Sequence, residues 1–312
     1  ASMRPAALAA RLLPLLGLHG PLPAAALQLQ AAEPPAAAAA GAGGNFPPRV
    51  ALLKFPRTAS SFMMEYLENA ACKHWDCKGH WKPEVLTDIC EHGRSCSPAQ
   101  ALSLIRRYLS CDGVRTSCGW SLNLLRHGGM GVRLWEGIVE ALAAQPTRVI
   151  FLTRRNVADQ ALSYEVGSKR RDTMNTPEFR ALFGPQYWCN AFHYSNCNAQ
   201  QRAWVDQRTR FSISPKHLQY SIMEYERNNE LYGRLEQELR QRNHPNITVL
   251  HVTYEELFSA EVWRKLLREV GLAGTEPPSM AVPRNGTYGR FVANWEAVAQ
   301  QAKTMGYDIA HL

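Results

Sequence analysis

The chain has 312 residues, 46% of them hydrophobic, which is enough to bury one large core. Lys and Arg number 35 against 27 Asp and Glu, so the formal net charge is +8, which favours anionic ligands or partners but does not predict a fold. Apart from the run Lys169, Arg170 and Arg171 the basic residues are scattered, and zinc-finger arrays and aromatic RNA-binding motifs are absent from the sequence, so a nucleic-acid-binding protein is not expected.

Residues 1–30 have the composition of a targeting segment. Arg4 precedes a short apolar stretch around residues 12–18, and small residues follow at 24–26. This order is typical of a secretory signal, and the stretch is shorter than the about 20 apolar residues of a membrane-spanning helix. We therefore expect a protein of the Golgi lumen or a secreted protein without a spanning segment, with a plastid transit peptide as the alternative. Residues 31–46, mostly Ala, Gly and Pro, are predicted to form a flexible linker.

Residues 47–312 are predicted to form one domain in which strands alternate with helices. Short apolar runs predict the strands, and longer runs with helical spacing predict the helices. The predicted strands are 49–55, 148–153 and 247–252, and the predicted helices are 62–71, 102–109, 131–144, 157–167, 216–242 and 261–270. Residues 72–100 are predicted to be loop with short helices, and 169–215 an insertion. This alternation predicts an α/β fold with a central parallel sheet flanked by helices.

The cysteines are even in number and close to one another in the sequence. They are Cys72, Cys77, Cys90, Cys96, Cys111, Cys118, Cys189 and Cys197. Their spacings do not repeat as metal-ligand pairs, so we expect short-range disulfides in an oxidising lumen. Free structural cysteines in a reducing compartment are the alternative.

A candidate phosphate-binding turn, residues 55–62, lies between the first predicted strand and its helix. Amides at a helix N-terminus, the hydroxyls of Ser60 and Ser61, and the Arg57 cation suit a phosphate. The turn is not a Walker A loop, because GxxxxGK[ST] is absent and Ala59 stands where a glycine is expected. The alternative is that the two serines only cap the helix.

A second candidate site follows the strand predicted at 148–153. Arg155 stands at the strand end, and Ser163 lies about two helical turns later. Both reach one anion only if the helix runs beside the strand end. The alternative is a surface arginine and a buried helix serine.

Together these segments resemble motifs of the sulfotransferase superfamily. Residues 55–62 resemble its 5'-phosphosulfate loop, Y-P-K-S-G-T-T-W, and residues 155–163 its 3'-phosphate motif, R-N-x-x-D-x-x-x-S. Residues 252–257 resemble its Y-E-D-L segment, and residues 284–289 its R-K-G-x-x-G loop. The four matches stand in the family's order, from about residue 50 to 295. The resemblance is nearest to the bacterial trehalose-type branch and to the Golgi carbohydrate and tyrosylprotein branches.

The resemblance implies a sulfotransferase fold with a P-loop-like turn. It also implies transfer of a sulfuryl group from 3'-phosphoadenosine-5'-phosphosulfate (PAPS) to a hydroxyl without a metal. Arg57 would contact the reacting oxygens, Ser60 and Ser61 the 5'-phosphate, and Arg155 and Ser163 the 3'-phosphate. The other implied nucleotide-binding residues are Thr58, Ala59, Phe62, Tyr254, Arg284, Asn285 and Gly286. Asn285 departs from the family pattern, which has a basic residue there.

A general base must take the proton of the acceptor hydroxyl. Residues 79–84 resemble the G-x-P-E segment of the Golgi and trehalose-type branches, so the resemblance makes Glu84 the first candidate. His80 is the second and His127 the third, since an unperturbed imidazole titrates near neutral pH. Glu84 as an ordinary acid at a helix start is the alternative.

The acceptor is left open by the sequence: a carbohydrate, tyrosine or small alcohol fits, and an acidic glycan is among the partners considered. Two other functions also stay open, a P-loop nucleotide kinase and a non-catalytic lumenal protein that binds a nucleotide. Asn246 and Asn285 begin glycosylation sequons, and we expect Asn246 to be the better glycan acceptor.

Overall fold

The computed structural model describes residues 47–55, 58–77, 81–82, 85, 97–111, 116–184, 197–279 and 288–309. Its strands are β1 (Arg49–Lys54), β2 (Trp81–Lys82), β3 (Cys118–Leu122), β4 (Thr147–Thr153) and β5 (Ile247–Thr253). They form one sheet in the order β2-β3-β1-β4-β5, and every pairing is parallel. This confirms the predicted α/β fold with a central parallel sheet. The predicted signal segment and linker lie outside the described residues.

Helices flank this sheet, and a 3-10 helix, Tyr254–Phe258, follows β5 directly. The described helices are α1 (Ser60–Ala71), α2 (Pro98–Leu109), α3 (Arg126–Arg133), α4 (Trp135–Ala143), α5 (Val157–Met174), α6 (Pro177–Phe183), α7 (Ala199–Arg208), α8 (Pro215–Arg242), α9 (Ala260–Glu269) and α10 (Trp295–Thr304). The single helix predicted at 131–144 is therefore two, α3 and α4. In the opposite sense, α5 continues past Gly167, where the prediction ended it.

The central strands β1 and β4 are apolar between their ends because helices cover both faces of the sheet. Val50 and Leu52 pack on one face, in a core shared with α1 and α9. Ala51 and Leu53 pack on the other, in a core shared with α2, α4 and α8. Burial on both faces replaces the alternating pattern of a half-exposed strand with a continuous apolar run. That run is the signal that predicted β1 and β4.

Sequence reasoning missed β2 and β3. β3 reads Cys-Gly-Trp-Ser-Leu, and its glycine and serine break the apolar run although every residue in it is buried. Gly119 pairs with Trp81 of β2, and a Cβ atom on Gly119 would overlap the Trp81 ring. The glycine thus makes room for a tryptophan from a strand that is distant in the sequence.

Two short-range disulfides agree with the predicted pairing of nearby cysteines. Cys72 and Cys77 are joined across the turn after α1, with Cα atoms 5.4 Å apart. Cys111 and Cys118 join the end of α2 to the start of β3, with Cα atoms 6.1 Å apart. Cys197 is also disulfide-bonded. Such bonds fit a secreted or lumenal protein.

A separate core lies beyond the carboxyl edge of the sheet. The first turns of α5 pack there against α8, α10 and Val292, through Ala158, Leu162, Ile222 and Val298 among others. Helices α6 and α7, from the segment predicted as an insertion, pack around Phe179 and Val205. Within the described residues, no helix has both the length and the apolar character needed to cross a membrane.

Candidate functional site

The carboxyl ends of all five parallel strands meet at one edge of the sheet, which is where open α/β sheets usually bind ligands. β1 and β4 are neighbours in this sheet. The turns that follow them, predicted from sequence as two phosphate-binding segments, therefore leave from adjacent positions. β3 ends on the other side of β1, and β5 on the outer side of β4.

The turn after β1 is tightly held where the structure describes it. Thr58 is fully buried, and its hydroxyl donates to the carbonyl of Phe55 at 2.9 Å. Ala59 has a left-handed backbone, with φ 59° and ψ 23°, and α1 begins at the next residue, Ser60. No described side chain caps α1, so the amides of its first turn can donate to an anion. Ser60 is buried and Ser61 is exposed.

The turn after β4 is tied to the segment that follows β5. The carboxylate of Glu255 accepts from the backbone amides of Arg155 and Asn156, at 3.0–3.1 Å. The exposed Arg155 guanidinium donates to Glu256 Oε1 at 2.6 Å. Two of the segments predicted from sequence are thus in contact. An anion that binds Arg155 has to compete with this carboxylate.

The charge of Glu256 is maintained by its surroundings. Burial raises the pKa of its carboxyl group. Hydrogen bonds from Thr253 and the charges of Arg155 and His251 lower the pKa by a larger amount, so it lies below its ordinary value. Glu256 is therefore an ionised partner for Arg155 at neutral pH.

Arg154 is a structural residue, in contrast to its exposed neighbour. It is buried, pairs with Asp159 in the first turn of α5, and lies 4.1 Å from the centre of the Tyr254 ring. Asp159 and Tyr254, both part of motifs found in the sequence, therefore hold this arginine. Ser163 is 8% exposed on the buried side of α5. Its burial and the exposure of Arg155 also fit the alternative of a surface arginine and a buried serine.

Helix α8 passes the carboxyl ends of the strands before it packs on one face of the sheet, and its side chains hydrogen-bond to those ends. Asn229 donates to the carbonyl of Arg154 at 3.0 Å. The hydroxyl of Tyr232 donates to the carbonyl of Lys54 at 2.9 Å and accepts from the amide of Leu124 at 3.1 Å. One tyrosine therefore joins the ends of β1 and β3.

One turn further along α8, Glu236 binds an imidazole on β5. Its carboxylate lies 2.5 Å from His251 Nδ1, and His251 Nε2 lies 3.1 Å from the Thr153 hydroxyl. Burial raises the pKa of Glu236. The hydrogen bonds and charges of His251 and Arg240 lower the pKa by a larger amount, so it lies below its ordinary value. Sequence reasoning missed these contacts. Polar residues at 229, 232 and 236, three and four positions apart on one helix face, were the available signal.

Several predicted site residues lie outside the described residues. They are Arg57, His80, Glu84, Arg284, Asn285 and Gly286. His127 belongs to α3, but its side chain is not among those described. The general base and the arginine at the reacting oxygens therefore stay predictions.

No protein-family model, curated protein or solved structure matches the chain. In the part of the chain that the structure describes, no group of His, Cys, Asp and Glu side chains could hold a metal ion.

A cavity of about 310 Å³ lined by Trp120 and Thr147 reaches the amino end of β4, opposite the carboxyl edge of the sheet. At the carboxyl edge of the sheet, the groups that suit an anion are the amides at the start of α1 and Arg155, which pairs with Glu256.

Proposed function

We propose that the chain is a sulfotransferase that moves the sulfuryl group of PAPS to a hydroxyl acceptor. The observation that carries the proposal is the position of the two motif-bearing turns, which leave one sheet edge from the adjacent strands β1 and β4. A nucleotide with phosphates on both its 5' and 3' sides needs two anion sites at neighbouring positions. The four motif resemblances in family order support the same function.

In the proposed reaction, an acceptor oxygen attacks the sulfur in line with the bond to the phosphate. The new S–O bond forms as the old one breaks, and its electron pair leaves with the phosphate of 3'-phosphoadenosine-5'-phosphate (PAP). Arg57 and the amides at the start of α1 stabilise the negative charge on the leaving oxygens. Glu84, the first candidate for the base, takes the acceptor proton.

Glu256 gives the 3' side of this site a specific energetic feature. Its carboxylate occupies Arg155 in the absence of nucleotide, so binding of the 3'-phosphate exchanges one charge-assisted hydrogen bond for another. The gain in free energy comes from the second donor, Ser163, and from the larger charge of the phosphate.

The decisive experiment is calorimetric titration of the folded protein with PAP in magnesium-free buffer. We expect the Arg155→Ala, Ser163→Ala double variant to bind at least about tenfold more weakly, because the hydrogen bond from Ser163 to a charged group is lost at about 1.5–3 kcal/mol, whereas the bond from Arg155 replaces its bond to Glu256 and adds less. Arg264→Ala with Ser221→Ala, on α9 and α8, is the matched control and keeps wild-type affinity.

Two results would contradict the proposal. One is the absence of PAP binding by properly folded wild-type protein. The other is magnesium-dependent binding of ATP in place of PAP, which indicates a nucleotide kinase. Turnover of labelled PAPS, abolished in Arg57→Ala, then separates an enzyme from a binding protein that does not catalyse transfer.

A further inference from the structure

A basic surface lies on the second half of α5, on α7, and on the segments 208–211 and 288–292. At its centre Arg170 and Arg290 both pair with Asp206, at 3.2 and 2.9 Å. Both guanidiniums also lie on the ring of Phe291, at 4.6 and 4.5 Å from its centre. One carboxylate and one ring thus hold two arginines side by side, and the cluster keeps a net positive charge.

More cations surround this pair. Lys169 lies 5.8 Å from the centre of the Phe211 ring, and the Phe211 amide donates to the Phe291 carbonyl at 2.9 Å, which places Lys169 beside the two arginines. Arg208 and Arg210 are exposed in the segment that leads to Phe211. Among the described residues, no carboxylate pairs with Lys169, Arg208 or Arg210. A surface with this excess of cations attracts polyanions.

A groove of about 500 Å³ adjoins the basic surface. Its lining is Thr173, Thr176, Glu178, Leu182, Trp204 and Arg208. The hydroxyls of Thr173 and Thr209 lie 3.3 Å apart, which connects the groove to the segment that carries Arg210. The Arg208 guanidinium lies 4.2 Å from the centre of the Trp204 ring. The volume is in the range of small-ligand sites.

These groups have the chemistry of an acidic sugar site. The C–H face of a sugar ring is apolar and can contact the part of the Trp204 indole that lines the groove together with Leu182, since Arg208, Phe179 and Phe183 already lie against that ring. Threonine hydroxyls can bond the sugar hydroxyls, and Arg208 can pair with a carboxylate or sulfate group. The cations beyond the groove then meet the next charged residues of the same chain.

We infer that this surface binds an acidic polysaccharide, with one sugar residue in the Trp204 groove and its neighbours along Lys169, Arg170 and Arg290. A glycan is favoured over a nucleic acid because the disulfides indicate an oxidising compartment, where acidic glycans are the common polyanions. The surface lies on the half of α5 that is farther from the sheet edge, so a bound polysaccharide that extends along α5 toward that edge is also the expected acceptor. That role rests on the proposed function, whereas binding does not.

The test measures binding without any nucleotide. Immobilised chondroitin sulfate is titrated with wild-type protein and with the triple variant Lys169→Ser, Arg210→Ser, Arg290→Ser. We expect the triple variant to bind on the order of tenfold or more weakly at physiological salt, because attraction to a polyanion depends on the number of contacting cations. The variant Arg208→Ser tests the groove, and we expect its affinity for chondroitin sulfate to fall several-fold.

The matched control is Arg227→Ser, Arg234→Ser, Lys265→Ser, which removes the same charge from exposed positions on α8 and α9. It is expected to bind as wild type does. An equal loss in the control, or no binding of chondroitin sulfate by wild type, would overturn the inference. Tighter binding of single-stranded poly(dT), with the same sensitivity to the triple variant, would overturn the glycan class. None of these results bears on PAP binding, which is measured separately.

Discussion

Ala59 shows how a single residue can determine the geometry of the turn between β1 and α1. Its left-handed backbone lets the chain reverse between β1 and α1. A residue with a Cβ atom pays about 1–2 kcal/mol to adopt this conformation, whereas glycine adopts it without that cost. The sequence had marked this position as one where glycine is expected, and the backbone has the conformation that glycine favours.

We therefore predict that Ala59→Gly raises the free energy of unfolding by up to about 1 kcal/mol. Glycine removes the steric cost of the left-handed backbone, but its greater freedom in the unfolded chain offsets part of that gain. Urea denaturation measures it. Ala203→Gly, at an exposed position inside α7, is the control and should lower stability by about 1 kcal/mol. Equal destabilisation by both changes would show that the turn does not need this conformation.

Among the elements, α8 has the most direct effect on the site, because its polar side chains reach the ends of β1, β3, β4 and β5. Most of these contacts satisfy backbone groups that the sheet leaves unpaired where its strands end. The contact of Glu236 with His251 differs, because it depends on ionisation. The strength of this contact between α8 and the sheet therefore depends on pH.

The sign of that dependence follows from the lowered pKa of Glu236. The stability contributed by its charge is complete above the ordinary value of 4.5 and is lost as the pH falls through the lower value of the folded state. Glu236→Gln should cost about 1–3 kcal/mol at neutral pH, and the difference from wild type should shrink as the solution becomes acidic. Urea denaturation across this range measures it.

Glu230→Gln, an exposed position on the same helix, serves as the control and should follow wild type at every pH. If Glu236→Gln lost the same free energy in acid as at neutral pH, the contact would not depend on the charge of the carboxylate.

For the whole molecule, the disulfides join elements that are close in sequence. The pair Cys72 and Cys77 closes a loop with a sequence separation of 5, so the chain-entropy estimate of its contribution is about 2 kcal/mol. We predict that Cys72→Ser, Cys77→Ser lowers the free energy of unfolding by about that amount. These half-exposed cysteines make a cleaner test than the buried Cys111 and Cys118.

The single variants Cys72→Ser and Cys77→Ser provide an internal check. Each removes the same disulfide bond, so each should lower the free energy of unfolding as much as the double variant does. Additive losses, or a reductant that leaves wild-type stability unchanged, would be evidence against an intact bond in solution. Alkylation followed by mass measurement gives the number of free thiols in each sample.

The sequence alone was enough to predict the fold class and the main helices and strands. Long apolar runs bounded by prolines and polar turns are local signals, and burial on both faces produces them. It also located the two turns that meet at one sheet edge, because each follows a strand directly. The short-range cysteine pairs were predictable for the same reason, since nearby residues can meet without help from the rest of the fold.

The remaining features depend on how distant parts of the chain pack together. β3 becomes a strand by pairing with β1 and β2, and Gly119 is needed only because the Trp81 ring lies against it. The bonds of Tyr232 to Lys54 and of Arg155 to Glu256 join residues about a hundred or more positions apart. Such contacts depend on where the folded chain brings its distant parts together, and no local periodicity encodes that arrangement.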